Sequence, residues 1–144
     1  MTLVLDTNVV SELRKSPAGK RGAAKIDRNV LAWSKGVPSA SQFLSVVTIF
    51  ELEYGARLME RRNPRQGAVL RFWLDNHVLP AFAGRILPID TAIVLRFAAL
   101  QVPNPRHERD ALIAATALIH GMTVVTRNVS HFQLAGVPII NPWE

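Results

Sequence analysis

The sequence predicts an α/β fold: a mainly parallel sheet of four to five strands sandwiched between helices. Two observations predict it. Short runs that are apolar throughout, including Leu3–Leu5, Phe43–Val47 and Met122–Thr126, suit strands covered on both faces, and segments of helical period separate them. Acids also stand where an apolar run gives way to a helix: Asp6 in LVLDTNVVSE, Glu51 in SVVTIFELEYG and Asp90 in LPIDTAIVL. In an open parallel sheet such positions gather at the C-terminal edge, where ligands bind.

The elements follow in order. Leu3–Leu5 is a strand ended by Asp6, and residues 8–14 form a brief helix with Val9, Val10 and Leu13 on one side. Ser16-Pro-Ala-Gly-Lys-Arg-Gly22 has no periodicity and is expected to be a mobile loop. A helix over 27–35 carries Val30, Leu31 and Trp33, and after Pro38 comes a second strand, 43–47. A long helix is expected from Thr48 to about Arg62. Pro64 opens another, with Val69, Leu70, Trp73 and Leu74 as its apolar face. Residues 85–89 make strand three, and Asp90 begins a helix that ends near Val102-Pro103. Residues 108–120 form an alanine-rich helix, apolar around most of its surface and closed by Gly121. Residues 122–126 and 137–140 are the last two strands, before Asn141-Pro142-Trp143.

With 144 residues and 49% hydrophobic content, the chain has the size and core of one domain, 1–144. MTLVLD lacks the charge order of a signal peptide, and no apolar run approaches the roughly 18 residues of a membrane span. A cytoplasmic protein without a membrane partner is expected. The chain has no cysteine, so disulfides and thiolate metal sites are excluded. The net charge of +6 lies wholly in the first half: residues 1–72 hold 12 Lys/Arg against 6 Asp/Glu, residues 73–144 hold 5 of each. Clustering at Arg14–Arg28 and at Arg57, Arg61, Arg62 and Arg65 suits either a phosphate backbone or a solvated face.

Each acid has an ordinary reading. Asp6 and Asp90 fit helix N-caps, Thr48-x-x-Glu51 fits a capping box, and Asp110 suits the positive end of its helix. Taken together they say more. Asp6, Glu51 and Asp110, collected at one sheet edge, would repel each other until they took up protons or a cation. A hard divalent ion such as Mg²⁺ accepts oxygen ligands and keeps several waters, with Asn8 or Asn128 nearby. His77, His107, His120 and His131 show no zinc-type spacing; His107 and His120 read as helix-end residues and His131 as exposed. Asn8, Thr126 and Asn128 read either as turn, strand and loop residues or as groups that orient the carboxylates. Trp33, Trp73 and Tyr54 read as packing rather than base-stacking groups.

LVLDTNVVSEL, SVVTIFELEYG, LPIDTAIVLRFAAL, RDALIAATALIHGMTVVTRNVSHF and the closing NPW together resemble PIN-domain ribonucleases of the VapC type, close to the FitB-like branch. The resemblance implies a PIN fold and Mg²⁺- or Mn²⁺-dependent RNA cleavage by a toxin held in check by a cognate VapB-like antitoxin. It also implies a homodimer. Carried over by position, the family's acids fall on Asp6, Glu51 and Asp110, with Asn8 and Thr126 in support and Asp90 at a position that often holds an acid. The departures are Asn128, where many PIN domains carry a fourth acid, and His131, where related toxins often show an aspartate. A second metal should therefore bind weakly or only with substrate phosphate.

The expected chemistry is hydrolysis of an RNA phosphodiester by a metal-activated water, with Asp6 and Asp110 as chief ligands and Glu51 acting directly or through water. Its rival is a catalytically impaired binding or regulatory module that engages a partner through its acidic pocket. Phosphoryl transfer through an aspartyl intermediate fits poorly, because Asp6-Thr7-Asn8 lacks the second Asp needed as acid/base partner.

Overall fold

The computed structural model describes residues 1–15 and 25–144. The basic segment Ser16–Gly22, expected as a mobile loop, lies outside the described residues. In chain order the elements are β1 (Leu3–Leu5), α1 (Thr7–Leu13), α2 (Arg28–Lys35), β2 (Gln42–Ser45), α3 (Val46–Arg62) and α4 (Pro64–Trp73). A π-helical turn (Leu74–Val78) leads into α5 (Leu79–Ala81), followed by β3 (Ile86–Leu87), α6 (Thr91–Leu100), α7 (Glu108–His120), β4 (Thr123–Val125), α8 (Val129–Gln133) and β5 (Ile139–Ile140).

The five strands are all parallel, in the order β3-β2-β1-β4-β5. β1 is central because it is apolar at every position; Leu3, Val4 and Leu5 are all buried and pair with Thr123, Val124 and Val125. Side chains alternate across the sheet, so Leu3, Leu5, Leu44 and Val125 enter one cluster with Val9, Val10 and Leu52. Val4 and Val124 enter the other, with Ile113, Ala114, Ala117 and Phe132 from α7 and α8. Both faces are thus covered, and the ends of β1, β2 and β4 open on one edge. Among the described residues no helix is long and apolar enough to cross a membrane.

The end of the second strand differs from expectation. The second strand stops at Ser45, whose hydroxyl accepts the Val47 amide at 3.0 Å and starts α3 directly. Thr48 therefore lies inside the first turn, and no Thr48/Glu51 capping box forms. Of the apolar face expected on α4, Leu74 is buried, Trp73 packs against the core and Leu70 is half-buried, while Val69 is exposed. The close contact with α3 is made by other residues of α4. Gly67 lies against the Glu60 backbone, and one turn on Arg71 forks onto Glu53 at 2.6 and 2.9 Å and reaches Glu60 at 3.2 Å. Hydrogen bonds from Arg71 and Arg57 hold the Glu53 carboxyl down at about 2. Arg57 is thus partly neutralised, whereas Arg61, Arg62 and Arg65 stand exposed at the α3–α4 corner.

Candidate active site

Asp6 follows the central strand and is 3% exposed. Its carboxylate accepts hydrogen bonds from the Thr7 amide at 2.8 Å, the Thr126 hydroxyl at 2.7 Å and the Asn8 amide group at 3.2 Å. The Asn128 backbone amide donates to Thr126 Oγ1 at 2.9 Å, which leaves the Thr126 proton for Asp6. Asn8 Oδ1 in turn accepts from the Arg127 amide at 3.3 Å. These bonds fix the carboxylate but do not compensate its burial. Burial chiefly, with the charges of Asp110 and Glu51 adding to it, pushes the Asp6 carboxyl up to about 6 against the downward pull of Thr126 and Thr7.

Glu51 and Asp110 reach this edge from helices. Glu51, in the second turn of α3, has Oε1 2.7 Å from the Thr7 hydroxyl, which also lies 3.0 Å from Thr48 Oγ1; with one proton to give, Thr7 donates it to the carboxylate. Its Oε2 lies 3.6 Å from Arg109 Nη1. Asp110, in the first turn of α7, has Oδ2 2.5 Å from His131 Nδ1, and the His107 ring stacks on His131 at 4.1 Å. Three acids, close enough for two to raise the third, are thus carried on three separate elements at the open edge of a parallel sheet. A PIN domain model matches residues 3–137.

The chain belongs to the PIN domain family.

This PIN domain is 40% identical to the VapC ribonuclease Y4jK of Sinorhizobium fredii, over 99% of this chain and 98% of that protein. It is 36% identical to Toxin FitB of Neisseria gonorrhoeae, over 99% of both. The crystal structure of FitAcB from the same organism superimposes with a TM-score of 0.84 at 34% identity, covering 99% of each chain.

The PIN site differs from the sequence expectation in several respects. Among the described residues no three His, Asp or Glu side chains converge as a ready metal-ligand set. The reason is local: Asp110 is turned onto His131, and Glu51 onto Thr7 and Arg109. Asp90 is exposed and caps α6 through the Ile93 amide at 2.9 Å, at the edge strand β3 and two strands from Asp6. Asn128 is exposed and joins the network through its backbone. His131, expected to be exposed, is half-buried against Asp110. Tyr54, expected in the packing, is 47% exposed and stacks on Phe50 at 5.7 Å, with the Arg109 guanidinium over both rings. Arg109, His107 and His131 are the residues sequence reasoning missed. Their partners lie across the fold, and no local spacing announces them.

The donor set still fits a hydrated hard cation. It is all oxygen, it carries a carboxyl whose proton affinity is raised chiefly by burial and further by the two neighbouring acids, and Mg²⁺ needs only one or two carboxylates beside its waters. Asp6 and Asp110 would be those two.

Proposed function

We propose that this PIN domain is a Mg²⁺- or Mn²⁺-dependent endoribonuclease, acting in the cytoplasm as the toxin of a VapBC-type pair with a cognate VapB-like antitoxin. The observation that carries the reading is the buried Asp6, flanked by Asp110 and Glu51, at the C-terminal edge of the sheet. The full-length likeness to a VapC ribonuclease and to a toxin supports the substrate class and the biological role.

Asp6 and Asp110 would hold the ion, which supplies Lewis acidity and a water acidified toward hydroxide. Thr126, Thr7 and Asn8 keep the Asp6 oxygens in one orientation, so little reorganisation is left for the reaction. Glu51, steadied by Thr7, is placed to orient the attacking water and take its proton. Arg109 stands beside Glu51 as a counter-charge for an approaching phosphodiester.

A short unstructured RNA incubated with Mg²⁺ or Mn²⁺ is expected to be cut, with loss of cutting in EDTA. Asp110→Ala lowers the rate by more than about a hundredfold, beyond the loss typical for a group that merely orients a ligand. The rival module is favoured by Asn128 and by the lack of a converged three-ligand set among the described residues. Unchanged thermal midpoints at millimolar Mn²⁺, together with intact RNA, would decide for that module.

A homodimer is part of the same proposal. Phe50, Tyr54 and Leu58 recur at i, i+4 and i+8 on α3 and are about half exposed, at 50, 47 and 52%. An aligned apolar stripe of this kind suits a second copy of the chain. Light scattering should give twice 15.9 kDa, and Leu58→Glu should return the mass to that of one chain. A monomeric wild type at micromolar concentration would refute it.

A further inference from the structure

Beside the acids lies a cleft of about 410 Å³ lined by Pro105, Arg106, His107, Ser130, His131 and Leu134. It adjoins the acidic hollow: His107 also lines the neighbouring depression formed with Glu51, Glu108, Arg109 and Asp110. The chemistry changes sign along the way. The acidic hollow carries three carboxylates, whereas none of the residues lining the cleft is an acid.

Arg106 is the unusual member. Its backbone amide donates to Gln101 Oε1 at 2.6 Å, which fixes the residue between α6 and α7. Its Nη1 is buried and has no hydrogen-bond acceptor, and among the described residues Arg106 enters no ion pair. Nη1 is itself out of reach of a ligand, but Arg106 lines the cleft without an ion-pair partner among the described residues, and the rest of its planar fork suits a carboxylate or phosphate oxygen. The wall opposite is held in shape: Asp110 grips His131, and the His131 ring supports His107 face to face at 4.1 Å. Ser130 adds an exposed hydroxyl donor at the start of α8.

We propose that the cleft formed by Arg106, His107, Ser130 and His131 is a phosphate subsite, which holds the RNA backbone next to the phosphodiester at the acids. It rests on the ribonuclease reading. Arg106 supplies the permanent charge, His107 and Ser130 supply further donors, and His131 acts as a positioning residue through its ring. The subsite sets which nucleotides flank the cut by gripping the strand on the Asp110 side.

The test uses the full chain carrying Asp6→Asn, with and without Arg106→Gln, and fluorescence anisotropy of a labelled single-stranded RNA between about 50 and 200 mM salt. Loss of one phosphate contact should weaken binding about tenfold and reduce the slope of log affinity against log salt by about 0.7. Arg106→Lys should recover the slope but not the full affinity. The thermal midpoint of Arg106→Gln should not fall, since the lost nitrogen has no partner to strand. A single neutral methylphosphonate at the gripped position should weaken the Arg106 protein and leave Arg106→Gln unmoved. Equal affinities and slopes, in a protein whose wild type cuts RNA, overturn the subsite and leave the nuclease standing. A reduced slope in a wild type that cuts nothing supports the subsite and overturns the nuclease. A parent that binds no RNA overturns both.

Discussion

Asp6→Asn is expected to give a metal-free protein that is more stable than wild type at pH 7 and has no ribonuclease activity. Burial, with Asp110 and Glu51 adding to it, pushes the Asp6 carboxyl from the ordinary 3.8 up to about 6. The folded state therefore binds the proton more tightly than the unfolded chain. Stability from this group is complete below about pH 4 and is lost as pH rises through 6, a loss of about 3 kcal/mol by pH 7. Glu53, held at about 2, works in the opposite sense, but its contribution fades only as pH falls below its ordinary 4.5. Between pH 4.5 and 7 the Asp6 effect is separate. Asparagine removes the buried charge but disturbs the bond from Thr126, which returns about 1 kcal/mol, so a net gain of about 1–2 kcal/mol is expected at pH 7. Urea melts in EDTA at pH 7 and at pH 4.5 measure it; a variant less stable than wild type at pH 7 would show that the Asp6 charge is already compensated. Millimolar Mn²⁺ should then raise the wild-type midpoint and leave the variant where it was.

Gly67→Ala should cost about 3 kcal/mol despite the better helix propensity of alanine. A Cβ at this position would lie 2.4 Å from Glu60 Cα, 2.6 Å from Glu60 N and 2.7 Å from Glu60 Cγ. Two of these atoms are backbone, so α3 and α4 must move apart. The separation would pull Arg71 away from Glu53 and Glu60 and withdraw Leu74 from the core beneath. For a chain of this size the thermal midpoint should drop by roughly 10 °C. Gly55→Ala on α3 is the control: nothing lies within 4 Å of its Cβ, and it should be neutral or slightly stabilising. A Gly67→Ala protein that melts with wild type would mean that the α3–α4 contact is soft.

The fold was legible because its strands are short, wholly apolar and separated by helical periods. Leu3–Leu5 is the clearest case: three buried residues with no polar interruption, followed by an acid. The error at the end of β2 has a physical source. Val46 and Val47 look like strand residues, and only the cap made by Ser45 turns them into the first turn of α3. Topology also foretold that Asp6, Glu51 and Asp110 become neighbours, since each is attached to an element ending at or starting from the same edge. Their hydrogen bonds were not legible. His131 meets Asp110 across 21 residues, and Arg109 lies over Phe50 and Tyr54 from another helix, contacts set by how α7 and α8 pack. The close contact of α4 with α3 escaped the hydrophobic pattern because an ion-paired arginine and a glycine, rather than Val69, make it.

The position of β1 in the middle of the sheet has a consequence for how the molecule comes into being. Its left-hand neighbour is β2, but its right-hand neighbour is β4, whose pairing with Leu3–Leu5 waits until some 120 further residues have been made. Thr126, the residue that holds Asp6 in place, emerges later still. A partly synthesised chain therefore contains the first two acids and Thr7, which bonds to both, but lacks Asp110 and Thr126. The site is completed only after β4 and the residues that follow it have been made.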